Sequence, residues 1–172
     1  MHAKNYRAVK GQTYSRKEFV KGFPPPKITK FTLGDTRAKF EYEARLIATE
    51  SAQIRHNALE AARVASNRIL MDKLVNSYLM RVLPYPHTIL RENKMIFGAH
   101  ADRLQQGMRG SFGRPIGTAA RIRAKQPLIV INVNEAGVEV AKEALKRGSA
   151  KLPIPCRIVV EKLQTEEAKQ VG

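Results

Sequence analysis

The fold is decided by residues 128–148, which read LIVINVNEAGVEVAKEALKRG. The first four form a run of branched and other apolar side chains, which is typical of a buried β-strand. Asn134 is then a good helix N-cap. Apolar residues follow at helical spacing (Val138, Ala141 and Leu145), and Gly148 is placed to end the helix. A strand that leads directly into an amphipathic helix predicts a helix packed against a sheet.

Further strands and a second helix are predicted elsewhere in the chain. Residues 40–46 alternate apolar and polar side chains, which predicts a strand with one buried face. Residues 52–78 carry apolar side chains near helical spacing, and residues 49–51 supply capping chemistry before them. Shorter strands are predicted at residues 79–83, 88–91, 120–123 and 155–161. We therefore expect an α+β fold, a two-layer sandwich of a mixed, largely antiparallel sheet with two main helices.

Residues 103–121 read RLQQGMRGSFGRPIGTAAR and contain no acidic side chain. Their glycines disfavour the interior of a helix or strand, because each loses more backbone entropy on folding than other residues do. Their arginines keep their charge and present planar donor forks that suit phosphate. We expect a long, mobile Gly/Arg loop over residues 98–119 that can approach a polyanion closely.

The composition also indicates a polyanionic partner. A formal net charge of +16 over 172 residues, with a pI of about 10.3, makes the folded chain repel itself unless a polyanion neutralises it. Nucleic acid is the usual partner, and an anionic membrane surface is the alternative. No run of about 18 apolar residues is present to span a bilayer, and the N-terminus lacks the apolar stretch of a secretory signal. The single cysteine, Cys156, excludes an internal disulfide and fits a reducing compartment, so we predict a cytoplasmic location.

Three regions are predicted along the chain. Residues 1–36 form a basic, extended arm packed on the domain, in which three consecutive prolines (24–26) prevent helix formation. Aromatic residues scattered along the arm are suited either to stacking on bases or to packing the arm onto the domain, and packing is favoured. Residues 37–164 form a single α+β RNA-binding domain, and residues 165–172 form a short polar tail.

The predicted RNA-binding surface consists of the basic side chains of the arm, the first helix and the Gly/Arg loop with its return strand. They are Lys4, Arg7, Lys10, Arg16, Lys17, Lys21, Lys27, Lys30, Arg55, Arg63, Arg68, Arg103, Arg109, Arg114, Arg121 and Arg123. The loop glycines, which would let the backbone approach phosphates, are Gly107, Gly110, Gly113 and Gly117.

Catalytic and metal-binding patterns are not found. The four histidines and Cys156 lack metal-ligand spacing, and His100 with Asp102 has no nucleophile nearby, so we predict neither an enzyme nor a metal, cofactor or small-molecule substrate. Residues 113–118 have the wrong spacing and no lysine for a nucleotide phosphate loop. The Gly-Met-Arg-Gly pattern at 107–110 matches the G-x-x-G clamp of KH modules, which leaves a free-standing RNA-binding regulator as the alternative function.

The loop string from Arg103 to Arg121 resembles the signature of a ribosomal protein family. This family is the archaeal and eukaryotic branch of the universal sixteenth large-subunit ribosomal protein, often called the "ten-e" branch. The resemblance continues through residues 58–63 and through Tyr6, Arg16 and Gly22 of the arm, and it covers nearly the whole chain. Eukaryotic members carry a longer C-terminal extension and bacterial members a Lys/Gly-rich segment. Neither is present here, so we expect an archaeal member.

The resemblance implies both a place and a role. Such proteins bind large-subunit rRNA between the peptidyl-transferase region and the central protuberance, beside neighbouring ribosomal proteins, and their fold is α+β. Their Gly/Arg loop points towards the acceptor end of tRNA in the aminoacyl or peptidyl site. The catalyst in that region is RNA, so the resemblance implies a structural protein of the large ribosomal subunit that compacts rRNA and helps to position tRNA.

Overall fold

The computed structural model describes residues 2–94, 98 and 107–163. Within them, eight strands and two α-helices follow one another along the chain. They are β1 (Thr32–Gly34), β2 (Tyr42–Ala48), β3 (Ala52–Arg55), α1 (His56–Leu74), β4 (Leu79–Val82), β5 (Thr88–Glu92), β6 (Arg114–Ile122), β7 (Pro127–Val133), α2 (Val138–Ser149) and β8 (Cys156–Lys162). The predicted α+β sandwich is confirmed.

The described strands form two antiparallel sheets, whereas the sequence had suggested one sheet. The larger sheet has the order β1-β4-β7-β2-β8, and the smaller has the order β3-β6-β5. The chain passes between the two sheets four times, and two of these crossings, after β2 and after β6, form adjacent corners. Lys125 adopts a φ of +66° at the second corner and donates its backbone N–H to Ala48 of the first. The two corners therefore hold each other in place.

The helices pack against each other, α1 also contacts β3 and β6, and α2 contacts β2, β7 and β8. The buried residues of α1 recur every three or four positions, which defines one apolar face (His56, Leu59, Ala62, Ser66 and Leu70). Small residues let the helices approach closely, and Ser66 Oγ donates to the backbone oxygen of Ala144 at 3.0 Å. Buried side chains of β2 and β7, among them Leu46, Ile129 and Ile131, complete the core.

Three local predictions were wrong. Residues 52–55 form strand β3, because they pair with β6 and are mostly buried, and Ser51 accepts a hydrogen bond from the amide of Ala124. Asn134 precedes a 3-10 turn at Glu135–Gly137 and makes no side-chain cap, so α2 begins only at Val138. Gly148 lies inside α2, where an added Cβ would clash with Ser66 Oγ.

The predicted Gly/Arg loop is shorter than the sequence suggested. Strand β6 begins at Arg114, so residues 114–119 belong to the smaller sheet, with Thr118 and Ala119 paired to Ile89 and Thr88 of β5. Residues 107–110 form a 3-10 turn before this strand. Residues 99–106 of the predicted loop, and the predicted tail at 165–172, lie outside the described residues.

Candidate nucleic-acid interface

Two side chains of the smaller sheet hold the backbone of the N-terminal arm. Gln53 on β3 and Arg121 on β6 are directly opposite each other in the strand register. Gln53 donates its backbone N–H to Arg7 at 2.7 Å and its side-chain amide to the carbonyl of Tyr6 at 2.8 Å. Arg121 donates to the carbonyls of Gly11 at 2.7 Å and Lys10 at 3.3 Å. We call this pair, Gln53 and Arg121, the arm clasp.

A second anchor fixes the arm near its C-terminal end. Ile28 is only 1% exposed and belongs to the hydrophobic core. The adjacent Lys27 donates its backbone N–H to Nδ1 of His56 at 2.9 Å, and the carbonyl of Phe31 accepts from Val82. Burying an apolar side chain of this size contributes about 1.5–3 kcal/mol, so the arm is held by packing as well as by hydrogen bonds.

His56 takes part in this anchor as a neutral imidazole. Burial, together with the charges of Arg55 and Lys27, lowers the pKa of His56 below its usual value. Gly117 of β6 leaves room for the ring, since a Cβ at that position would lie 2.9 Å from His56 Nε2. One of the predicted loop glycines therefore lies within the fold, where it accommodates a buried histidine.

The two anchors orient the arm with its carbonyls towards the domain and its cations outwards. All the predicted RNA-binding side chains of the arm that the structure describes are exposed: Lys4, Arg7, Lys10, Arg16, Lys21, Lys27 and Lys30. The side chain of Lys17 is not among the described ones. A row of outward cations on a fixed backbone is suited to the phosphates of a nucleic acid.

The predicted cations of α1 differ in their availability. Arg68 is exposed on the outer face of the helix. Arg63 is largely covered and forms a bidentate pair with Glu60, at 2.8 Å and 2.5 Å. Arg55, which directly precedes the helix, is half-buried and lies over the ring of Tyr6 at 5.9 Å. Arg68 is therefore the best placed of the three to meet a phosphate.

Near the Gly/Arg loop, Arg109, Arg114 and Arg123 are exposed, while the half-buried Arg121 is engaged in the arm clasp. Arg103 lies outside the described residues. Gly113 donates to the carbonyl of Gly110 and adopts a φ of +71°, which closes a tight turn before β6. A KH clamp joins two helices, whereas this G-x-x-G turn leads into a strand.

Arg91 on β5 was missed by the sequence analysis. Its guanidinium carbon lies 4.0 Å from the ring centroid of Tyr14 on the arm and 5.5 Å from that of Phe112 beside the loop. One cation therefore joins two aromatic rings that are distant in sequence. Its only sequence signal was a position at the end of a predicted strand, which gave no hint of these contacts.

No group of three or more His, Cys, Asp or Glu side chains in residues 2–94 and 107–163 is placed to hold a metal ion. The pair His100 and Asp102 lies outside the described residues. No helix in the described part of the chain is long and apolar enough to cross a membrane.

An α+β domain with a clasped basic arm and a glycine-rich cationic turn has the surface of a protein that binds a polyanion. The family model described as "Ribosomal protein L16p/L10e" matches residues 9–159, and the chain belongs to this family. It is a family of ribosomal proteins and not of enzymes, in agreement with the prediction from the sequence.

Archaeal relatives agree with this assignment. The "Large ribosomal subunit protein uL16" of Sulfolobus acidocaldarius is 50% identical over 168 residues, covering 96% of both chains. The protein of the same name from Saccharolobus solfataricus is 54% identical over 158 residues, covering 90% of this chain and 89% of its own. That of Hyperthermus butylicus is 50% identical, covering 95% of this chain and 91% of its own. The chain is thus an archaeal member of the family, as predicted.

Proposed function

We propose that this chain is a structural constituent of the large ribosomal subunit that binds and compacts large-subunit rRNA. It would work in the cytoplasm, beside neighbouring ribosomal proteins. The observation that carries the proposal is the orientation of the arm. Backbone carbonyls of the arm accept hydrogen bonds from the arm clasp, and the described lysines and arginines of the arm are exposed. The similarity to large ribosomal subunit proteins supports rRNA as the polyanion in this proposal.

In this proposal the cations act through charge and shape more than through base sequence. The deep groove of A-form RNA hides base edges, whereas phosphates remain accessible to lysine and arginine. Arg121 contributes by holding the arm, and Arg63 by pairing with Glu60, while the exposed cations contact phosphates directly. Each neutralised phosphate contributes about 0.7–0.9 to the dependence of log K on log salt.

Filter binding of the full chain to deproteinised large-subunit rRNA at several salt concentrations tests this proposal. Replacing Lys21, Lys27 and Lys30 with alanine should lower the salt slope by about 2–3. A control of equal charge removes three exposed cations of α2 and β8: Lys146, Arg147 and Arg157. Equal slopes for the two triple variants would contradict a binding surface on the arm.

We propose that Arg109 and Arg114 help to position tRNA near the peptidyl-transferase region and the central protuberance. Both side chains are exposed, next to a turn that is closed by the backbone hydrogen bond from Gly113 to Gly110. Replacing both with alanine should leave the fold intact and produce a defect in translation or subunit maturation. An unchanged polysome profile would count against this role.

A further inference from the structure

A cleft of about 340 Å³ lies between the arm, strand β5 and the turn before β6. Its walls carry three cations, Lys10, Arg91 and Arg121, and two aromatic side chains with large exposed surfaces, Tyr14 and Phe112. None of its described lining residues is acidic. Its volume is at the lower end of the roughly 300–1,000 Å³ of small-ligand sites. The chemistry of the walls suits a planar aromatic group that carries a negative charge.

The two rings are exposed to an unusual degree for side chains of their size. Tyr14 is 56% exposed and Phe112 is 72% exposed, although each has one contact with the guanidinium of Arg91. Cation–π contacts hold the rings in place without covering them fully. An aromatic ring that is fixed and still accessible is the feature on which unpaired bases stack in RNA-binding proteins.

The floor of the cleft contains polar groups that lack partners. Thr88 is only 4% exposed, and its Oγ1 makes no hydrogen bond within the described part of the chain. The same is true of Nε of Arg121, whose two terminal nitrogens bind the arm. Because both atoms are themselves covered by protein, recognition in the cleft rests on the exposed rings and the cations and not on these two atoms.

The backbone around the cleft is built to hold these side chains. The register between β5 and β6 shifts at Leu90 and Arg91, and such bulges turn a side chain away from the regular sheet direction. Gly113 has a φ of +71°, and a Cβ there would lie 2.6 Å from the backbone carbon of Glu92. Only glycine fits this position, which places Phe112 next to Arg91.

We infer that this cleft receives one unpaired nucleotide of large-subunit rRNA. Its base stacks on the rings of Tyr14 and Phe112, and Lys10 faces its phosphate. The inference rests on the proposed function, because the polyanion must be rRNA. It goes beyond the proposed function because it assigns a binding site for a single base to a surface that is otherwise expected to contact phosphates.

The test compares wild-type protein with the double variant Tyr14→Leu, Phe112→Leu in filter binding to deproteinised large-subunit rRNA. Leucine keeps an apolar side chain and removes the stacking ring. Phe19→Leu is the matched control, since Phe19 is 73% exposed and lies over Arg16 at 5.8 Å but does not line the cleft. Thermal unfolding of each variant verifies that the fold is kept.

We expect the double variant to bind rRNA about 5-fold to 150-fold more weakly, with an unchanged salt slope, because stacking is lost and no phosphate contact is removed. Phe19→Leu should bind like the wild type. On a fully paired RNA duplex, which offers no free base, the wild type and the double variant should bind equally.

Wild-type affinity of the folded double variant for rRNA would overturn the inference and leave the proposed function standing. Failure of the wild-type protein to bind large-subunit rRNA at all would overturn the proposed function, and the inference with it. Displacement of the rRNA by micromolar free mononucleotide would assign the cleft to a soluble nucleotide and would also overturn the inference.

Discussion

Replacing Arg121 with methionine should release the N-terminal part of the arm without unfolding the domain. The substitution keeps most of the apolar stem and removes the donors to Gly11 and Lys10. A hydrogen bond that involves a charged group contributes about 1.5–3 kcal/mol. The bond at 2.7 Å accounts for most of this, because the one at 3.3 Å is near the limit of hydrogen bonding.

The same substitution also removes a buried donor, Nε of Arg121, that has no partner in the described part of the chain. Removing an unsatisfied group relieves a desolvation penalty. The free energy that holds the arm on the domain should therefore fall by about 1.5 kcal/mol, the lower end of the range for such hydrogen bonds. A difference of this size corresponds to about tenfold easier opening of the arm.

Amide hydrogen exchange measures this opening directly. The amides of Gln53 and Ile89 donate to the carbonyls of Arg7 and Tyr14 on the arm, so they should exchange about tenfold faster in the variant. Arg123→Met is the control, because Arg123 lies close by in the chain, is exposed and carries the same charge. If both amides exchange at the wild-type rate in Arg121→Met, the arm clasp does not hold the arm and the reasoning fails.

Because the pKa of His56 is lowered in the folded chain, the unfolded chain binds a proton at a higher pH than the folded chain does. The free energy of unfolding should therefore fall as the pH drops from 6.5 to the lowered pKa. In denaturant titrations, the variant His56→Asn should lose this part of the pH dependence. Arg68→Ala should reduce the salt slope of rRNA binding by about 0.7–0.9, because Arg68 is exposed. Arg63→Ala should leave that slope unchanged, because Arg63 is paired with Glu60, and should lower the free energy of unfolding by about 0.5 kcal/mol. Gly113→Ala should lower the free energy of unfolding by more than about 2 kcal/mol in chemical unfolding, because it adds a backbone clash to the strain of a positive φ. Gly11→Ala is the control and should cost about 1 kcal/mol, since Gly11 has a φ of +62° and open space around it. Equal losses for the two variants would show that the clash at Gly113 is relieved elsewhere.

Most strands could be predicted from the sequence because alternation and branched apolar runs reflect burial within each strand. These patterns indicate β2, β4, β5, β7 and β8 to within a few residues. They fail for β3, where four residues continue into α1 and their apolar side chains fit a helical pattern equally well. The three-residue strand β1 gave no signal, because a short edge strand has too few residues to show a period.

The sequence predicted which kinds of side chain form the candidate site, but not how the fold arranges them. A surplus of lysine and arginine with few acids indicates a polyanionic partner wherever the chain places those residues. Which cations are available depends on pairings that only the fold creates, such as Arg63 with Glu60. The arm clasp depends on the register that brings Gln53 opposite Arg121, which are 68 residues apart in sequence.

Sucrose-gradient sedimentation of cell lysate at low and then at moderate salt, with detection of this protein, tests the central claim most directly. We expect the protein to migrate with the large ribosomal subunit at near one copy per particle and to remain there at moderate salt. A peak at the top of the gradient in both conditions would contradict this expectation and would identify a free RNA-binding protein.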